Sequence, residues 1–146
     1  IFNPAPAVKF PDSVYPLCDY FTPNETEAAD LAGIPVTNID EAREATKIFR
    51  DRGVKTALIT LGEMGCYFMN ESGEGHVPAF DMSGKVIETT GAGDGFNGGF
   101  AAALAEGKSP DEAIRYGSAT AAISVTRLGT APAMPQRSEI EQLVNS

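Results

Sequence analysis

The sequence predicts an α/β layered fold with a mostly parallel central sheet and helices on both faces. Two observations carry that expectation: strand-like apolar runs alternate with amphipathic helical stretches, and the helical stretches carry recognisable start and stop signals. A third is length. The 146 residues suffice for one sizeable core and leave little room for a second domain.

Taken in order, Ile1-Phe2 reads as the end of a strand entering the rigid turn Asn3-Pro4-Ala5-Pro6-Ala7, where each proline fixes its own φ and restricts its predecessor. No methionine or basic leader precedes it, so a piece of a longer protein is expected, not a signal peptide. Asp12 to Leu17 can form a short helix, and Asp19 to Thr22 a buried strand halted by Pro23. Asn24 caps a helix to about Ala32 that Gly33 stops. The next helix runs from Ile39 to about Arg52, with Ala42, Ala45, Ile48 and Phe49 at helical spacing. Val54 to Thr60 is the clearest strand. Gly65 to Met69 and Gly75 to Phe80 form shorter ones around the turn Asn70-Glu71-Ser72-Gly73. A glycine-rich segment at Gly91 opens a helix to about Glu106. Ser109, Pro110 and Glu112 make a capping box for a helix to about Val125, and a final helix covers Ser138 to Val144.

Twenty acidic against eleven basic residues give a formal charge of -9. Such a surface repels phosphate backbones and anionic lipid, so broad nucleic-acid or membrane binding is not expected. No apolar run approaches the roughly 20 residues that span a bilayer. Cys18, Cys66 and the single His76 are too few for a Cys/His zinc site, and both thiols are expected free beside buried strands, as in a reducing cytosol.

The strongest chemical signal is Glu88-Thr89-Thr90-Gly91-Ala92-Gly93-Asp94. The amides of Gly91, Ala92 and Gly93 crowd at a helix start, where unpaired N–H groups and the positive dipole end favour an anion. Asp94 lies in the first turn. A neighbouring phosphate would raise its proton affinity and suit it to take a hydroxyl proton. The structural alternative is that Thr90 caps the helix and Asp94 only complements the dipole. A dinucleotide fingerprint would need glycine at Phe96, and a Walker A loop would need it at Ala102; both are excluded. Asn24 and Glu27, three apart on a helix, share a face and can act together on a metal-bound phosphate, or merely cap. Thr60-Leu61-Gly62-Glu63-Met64-Gly65 leaves a strand end, with a hairpin turn as the plain alternative. The carbonyls after Ser124 can hold a monovalent cation, though water ordinarily satisfies them. His76 reads as a surface or edge residue, and Phe96, Phe100 and Leu104 as core.

Together these segments resemble the ribokinase family of PfkB-type carbohydrate kinases. The likeness rests on Asn3-Pro4-Ala5-Pro6-Ala7, Pro23-Asn24-Glu25-Thr26-Glu27, Thr60-Leu61-Gly62-x-x-Gly65, Thr89-Thr90-Gly91-Ala92-Gly93-Asp94-x-Phe96 and Ser124-Val125-Thr126-Arg127-x-Gly129. It implies a ribokinase-like layered fold, with these residues forming the C-terminal, nucleotide-binding and catalytic-base part of one domain. It implies transfer of the ATP γ-phosphoryl group to the 5-hydroxyl of D-ribose, with Asp94 as base and the Gly91, Ala92 and Gly93 amides as anion hole.

By the same resemblance Asn24, Thr60, Leu61, Gly62, Glu63, Met64, Gly65, Gly93, Asp94 and Ser118 bind the nucleotide, and Asp94 also meets the sugar. Glu27 serves magnesium indirectly, while Glu88, Thr90, Ser124, Arg127 and Gly129 surround an activating potassium, mostly through the backbone. The family usually has aspartate where Glu88 stands and often a hydroxyl where Ala133 stands. Its N-terminal strands and lid, which carry most sugar contacts and the usual homodimer interface, have no counterpart here. The chain alone is therefore expected to be inactive, and the parent to be a cytoplasmic homodimer. Alternatives are a noncatalytic nucleotide-binding module and a kinase for another sugar or nucleoside.

Overall fold

The computed structural model describes residues 1–146, which divide into two compact units, Ile1–Pro78 and Ala79–Ser146. The sequence reading places both in a single domain.

In the first unit a 3-10 helix, Asp12–Leu17, leads into strand β1 (Tyr20–Phe21), then α1 (Glu25–Ala32), α2 (Ile39–Asp51), β2 (Thr56–Thr60), β3 (Cys66–Asn70) and β4 (Gly73–Val77). The strands form one sheet in the order β1-β2-β3-β4. β1 and β2 are parallel, joined through the two helices, and Phe2 adds a further parallel bridge to Phe21. The β2–β3 and β3–β4 pairs are antiparallel. The α/β expectation holds, but within this chain the sheet is mixed, not mostly parallel. The reason is connection length: a 3-10 turn at Gly62–Met64 and a two-residue hairpin are too short for the crossover that parallel pairing requires. β4 starts two residues earlier than expected because the Asn70 side chain accepts from the Ser72 and Gly73 N–H groups, closing the turn at once. Pro78 then ends the strand.

The helix signals act as read. Asn24 and Glu27 form a reciprocal capping box on α1, and Gly33 ends it with φ 75°. The core of this unit is aromatic. Phe21 and Phe49 are fully buried with ring centroids 4.9 Å apart, and Tyr15 packs edge-on to Phe21 at 5.5 Å. Burying each such ring contributes roughly 1.5–3 kcal/mol, which anchors β1 and α2 together. A bidentate Arg43–Glu74 pair, with the Tyr67 hydroxyl donating to the same carboxylate at 2.8 Å, ties α2 to the β3–β4 hairpin.

The second unit is helical: α3 (Ala92–Ala105), α4 (Pro110–Ser124) and α5 (Arg137–Val144). Ser109 and Glu112 cap α4 reciprocally, as the sequence predicts. α3 and α4 pack so closely that a Cβ on Gly117 would lie 2.8 Å from the Phe96 carbonyl oxygen, and one on Gly99 2.2 Å from Thr120 Oγ1. Phe96 and Phe100 are core, as expected, stacked at 5.9 Å. α5 is held by ion pairs from Arg127 to Glu139 and from Arg137 to Glu106 and Glu141.

Candidate functional site

The sequence-derived site residues gather in two sets, one in each unit. In the first, β1 and β2 run parallel, and Asn24 and Thr60 follow at their carboxyl ends, where open α/β sheets place their ligands. They are brought together directly: Asn24 bridges Thr60, and the Thr60 N–H donates to the Pro23 carbonyl at 3.1 Å. Beyond Thr60 the chain makes a compact turn. Leu61 N–H donates to the Gly65 carbonyl (2.8 Å), Met64 N–H to Leu61 (3.1 Å) and Gly65 N–H to Gly62 (3.0 Å). Gly62 and Gly65 hold φ of 54° and 92°, values that a side chain would strain. Gly62, Glu63 and Met64 are exposed, whereas Leu61 and Gly65 are buried.

Asn24 is exposed and Glu27 buried. The Asn24 side chain accepts from Glu27 N–H at 2.8 Å, and Glu27 Oε2 accepts from Asn24 N–H at 2.9 Å. Capping is therefore real at this pair, and one carboxylate oxygen of Glu27 is already engaged. Nowhere do three or more His, Cys, Asp or Glu side chains cluster as a metal cage. Magnesium carried by a nucleotide keeps water and phosphate oxygens and needs only one or two carboxylates, a demand that Glu27 fits through its second oxygen or a bridging water.

In the second unit the phosphate-binding candidate stands at the start of α3. Gly91, not Thr90, is the N-cap; it adopts φ 81° and offers no side-chain cap. Thr130 packs against it, since a Cβ on Gly91 would lie 3.1 Å from its methyl group, so glycine suits the position. The Ala92 N–H donates to the Thr89 carbonyl at 3.1 Å, so this amide belongs to the turn. The N–H groups of Gly91, Gly93 and Asp94 have no acceptor within the protein, and the Gly95 N–H begins the helical ladder at Gly91. Asp94 is exposed in that first turn, and Gly93 has open space where a side chain would be. Asn97, which sequence reading passed over, donates from its side chain to the Gly93 carbonyl at 2.9 Å and braces the turn. An amide four residues after a glycine at a helix start was the available signal.

Of the cation candidates, Glu88 and Gly129 are brought together directly. The Val125 carbonyl accepts from Ile87 and Glu88 N–H (2.8 and 3.2 Å), and Glu88 Oε2 accepts from Gly129 N–H (2.9 Å). The longer glutamate arm thus latches the segment before α3 to the loop after α4. Several carbonyls at the α4 end have partners: Ala121 accepts from Ser124 Oγ and Val125 N–H, Ile123 from Thr126, and Ser124 from Arg127 N–H. The Arg127 guanidinium pairs with Glu139 and serves packing. Ser118 is half-buried midway along α4, one residue after the close crossing at Gly117. Thr90 is exposed.

The chain matches a model of the pfkB family of carbohydrate kinases over residues 1–137. It is 45% identical over 139 residues to a ribokinase of Haemophilus influenzae, covering 95% of this chain and 45% of that protein. It is 36% identical over 146 residues to a deoxyribokinase of Salmonella typhi, covering 99% and 47%. The solved structure of Arabidopsis thaliana ribokinase complexed with ribose and ATP superposes with a TM-score of 0.86 at 32% identity, covering 93% of this chain and 44% of that one. The chain spans about half the length of these relatives.

Proposed function

The chain belongs to the pfkB family of carbohydrate kinases, and on that premise we propose that it forms the nucleotide-binding and catalytic-base part of an ATP-dependent sugar kinase acting on the 5-hydroxyl of D-ribose. The observation that carries the reading is the start of α3, where the exposed Asp94 carboxylate shares one turn with the acceptor-free N–H groups of Gly91 and Gly93.

Asp94 takes the proton of the sugar's primary hydroxyl as its oxygen attacks the γ-phosphorus, and the bridging oxygen leaves with ADP. The Gly91 and Gly93 amides, with the dipole of α3, stabilise negative charge on the phosphoryl group in transit. Ala92 was expected to donate as well; its amide joins the anion hole only when its bond to Thr89 opens. Asn24 and the turn Thr60, Leu61, Gly62, Glu63, Met64 and Gly65 line the nucleotide, with Ser118 a further contact. Magnesium, when bound, would neutralise phosphate charge, and Glu27 would hold it through a water molecule. A potassium ion would be held by Glu88 and the carbonyls of Thr90, Ser124, Arg127 and Gly129.

The test is Asp94→Asn in the full-length protein that carries this chain. General-base loss should lower kcat at least about a hundredfold with the fold unchanged. Near-normal turnover would remove Asp94 from the role. Because a deoxyribokinase is among the relatives, ribose and 2-deoxyribose belong in one panel, and a higher kcat/KM for the deoxy sugar would move the acceptor assignment.

A further inference from the structure

His76 has no part in the chemistry above, yet the structure ties it to the turn that would face the nucleotide. It is exposed on β4, opposite Tyr67 of β3, and its Nε2 lies 2.5 Å from the Met64 carbonyl oxygen, twelve residues back along the chain. Every other bond fixing residues 61–65 is internal to the turn. Helical turns end on carbonyls without partners, and Met64 carries one of them. With glycine at both Gly62 and Gly65, the backbone has wide freedom on either side of the exposed Glu63-Met64 pair. Burial of Leu61 and Gly65 and the internal bonds fix the base of the turn, and the His76 donor adds a tie from a separate strand to its exposed tip. That strand is itself rigid, paired with β3 along its whole length and pinned at its turn by the Asn70 side chain.

We propose that His76 is a positioning residue for nucleotide binding: its Nε2–H donates to the Met64 carbonyl and holds the 61–65 turn in the form against which the nucleotide docks. The proposal rests on the reading that this turn lines the nucleotide site. The acceptor is a carbonyl, so the proton must sit on Nε2, and the neutral ring is the Nε2–H tautomer.

The experiment uses the full-length protein that carries this chain, with His76→Ala and His76→Gln, the latter keeping an N–H donor at similar reach. It reads hydrogen exchange at the Leu61, Met64 and Gly65 amides, the ¹⁵N shifts of the ring, thermal stability, and the calorimetric affinity for magnesium-ADP. Losing one exposed hydrogen bond should speed exchange at those amides and weaken magnesium-ADP binding by about three- to tenfold in the alanine variant. Glutamine should restore both, the thermal midpoint of the alanine variant should fall by no more than a few degrees, and the wild-type ring should show the Nε2–H tautomer. Unchanged exchange in His76→Ala, or an Nδ1–H ring, overturns the proposal. Faster exchange with unaltered magnesium-ADP affinity overturns it too, because the turn's shape would then not matter to the nucleotide. A wild-type full-length protein that ignores magnesium-ADP while the alanine variant loosens the turn refutes instead the reading beneath it, leaving His76 a tether without a ligand.

Discussion

Replacing Gly117 by alanine should destabilise the protein, while the same change at Gly98 should stabilise it. Both glycines are helical, so intrinsic propensity favours alanine by about 0.5–1 kcal/mol in each case. What differs is the space. At Gly98 nothing lies within 4 Å of the added carbon, and the position is exposed. At Gly117 the carbon would lie 2.8 Å from the Phe96 carbonyl oxygen and 3.1 Å from two Phe96 ring carbons. The obstacle includes backbone, so relief requires moving α3 away from α4 or disturbing the buried Phe96–Phe100 stack. Overpacking of this kind costs about 1–3 kcal/mol, and a carbonyl that cannot rotate aside argues for the upper end. The net expectation is a loss of about 1–2 kcal/mol for Gly117→Ala and a gain of about 0.5–1 kcal/mol for Gly98→Ala. Gly99 is a less clean choice, since a Cβ there would also displace the buried Thr120 hydroxyl, which donates to the Tyr116 carbonyl, and so would break a hydrogen bond as well as overpack. Urea unfolding followed by circular dichroism, compared at equal m-value, reads both changes. A Gly117→Ala protein as stable as the parent would refute the claim that contact distance between α3 and α4 governs this unit.

Two further outcomes follow from charge and burial. Hydrogen bonds from Arg43, and then from Tyr67, hold the Glu74 carboxyl below the ordinary glutamate value of 4.5. The pair therefore supports the fold fully above that value and progressively less as the pH falls through the lower folded value. A stability-against-pH profile of Glu74→Gln should lack this acid-side loss, and identical wild-type and variant profiles would count against it. Burial pushes the thiols of Cys18 and Cys66 up, Cys66 most strongly, so neither should react with a thiol reagent at pH 8 in the folded chain. Both should react once guanidinium unfolds it; rapid labelling of the native protein would contradict this burial.

The features legible in the sequence are those settled within four or five residues. Asn24 with Glu27 and Ser109 with Glu112 announce helix starts because cap and partner are sequence neighbours, and Gly33 announces a stop for the same reason. Thr60 and Gly91 stood out on like grounds, one where a strand ends and the other where a helix begins. Non-local choices were not legible. Position 91 favours glycine because Thr130, far along the chain, packs against it, and the helix is capped there and not at Thr90. Gly99 and Gly117 read as defects in helix propensity until α3 and α4 are seen to touch there. The sheet turned antiparallel at β3 because a three-residue turn decides strand direction more firmly than the α/β pattern does. The His76–Met64 bond depends on hairpin register, which alternation alone does not set.

The outer flank of β4 has a consequence for solubility. A terminal strand with free main-chain donors and acceptors invites foreign strands to add on and seed fibrils. Here that flank reads Gly73-Glu74-Gly75-His76-Val77: two glycines with little β preference, an ionised carboxylate, an imidazole and only one aliphatic residue. An incoming segment would find almost no greasy surface to grip and would have to strip water from Glu74. Concentrated solutions of the chain should therefore resist growth from this side of the sheet.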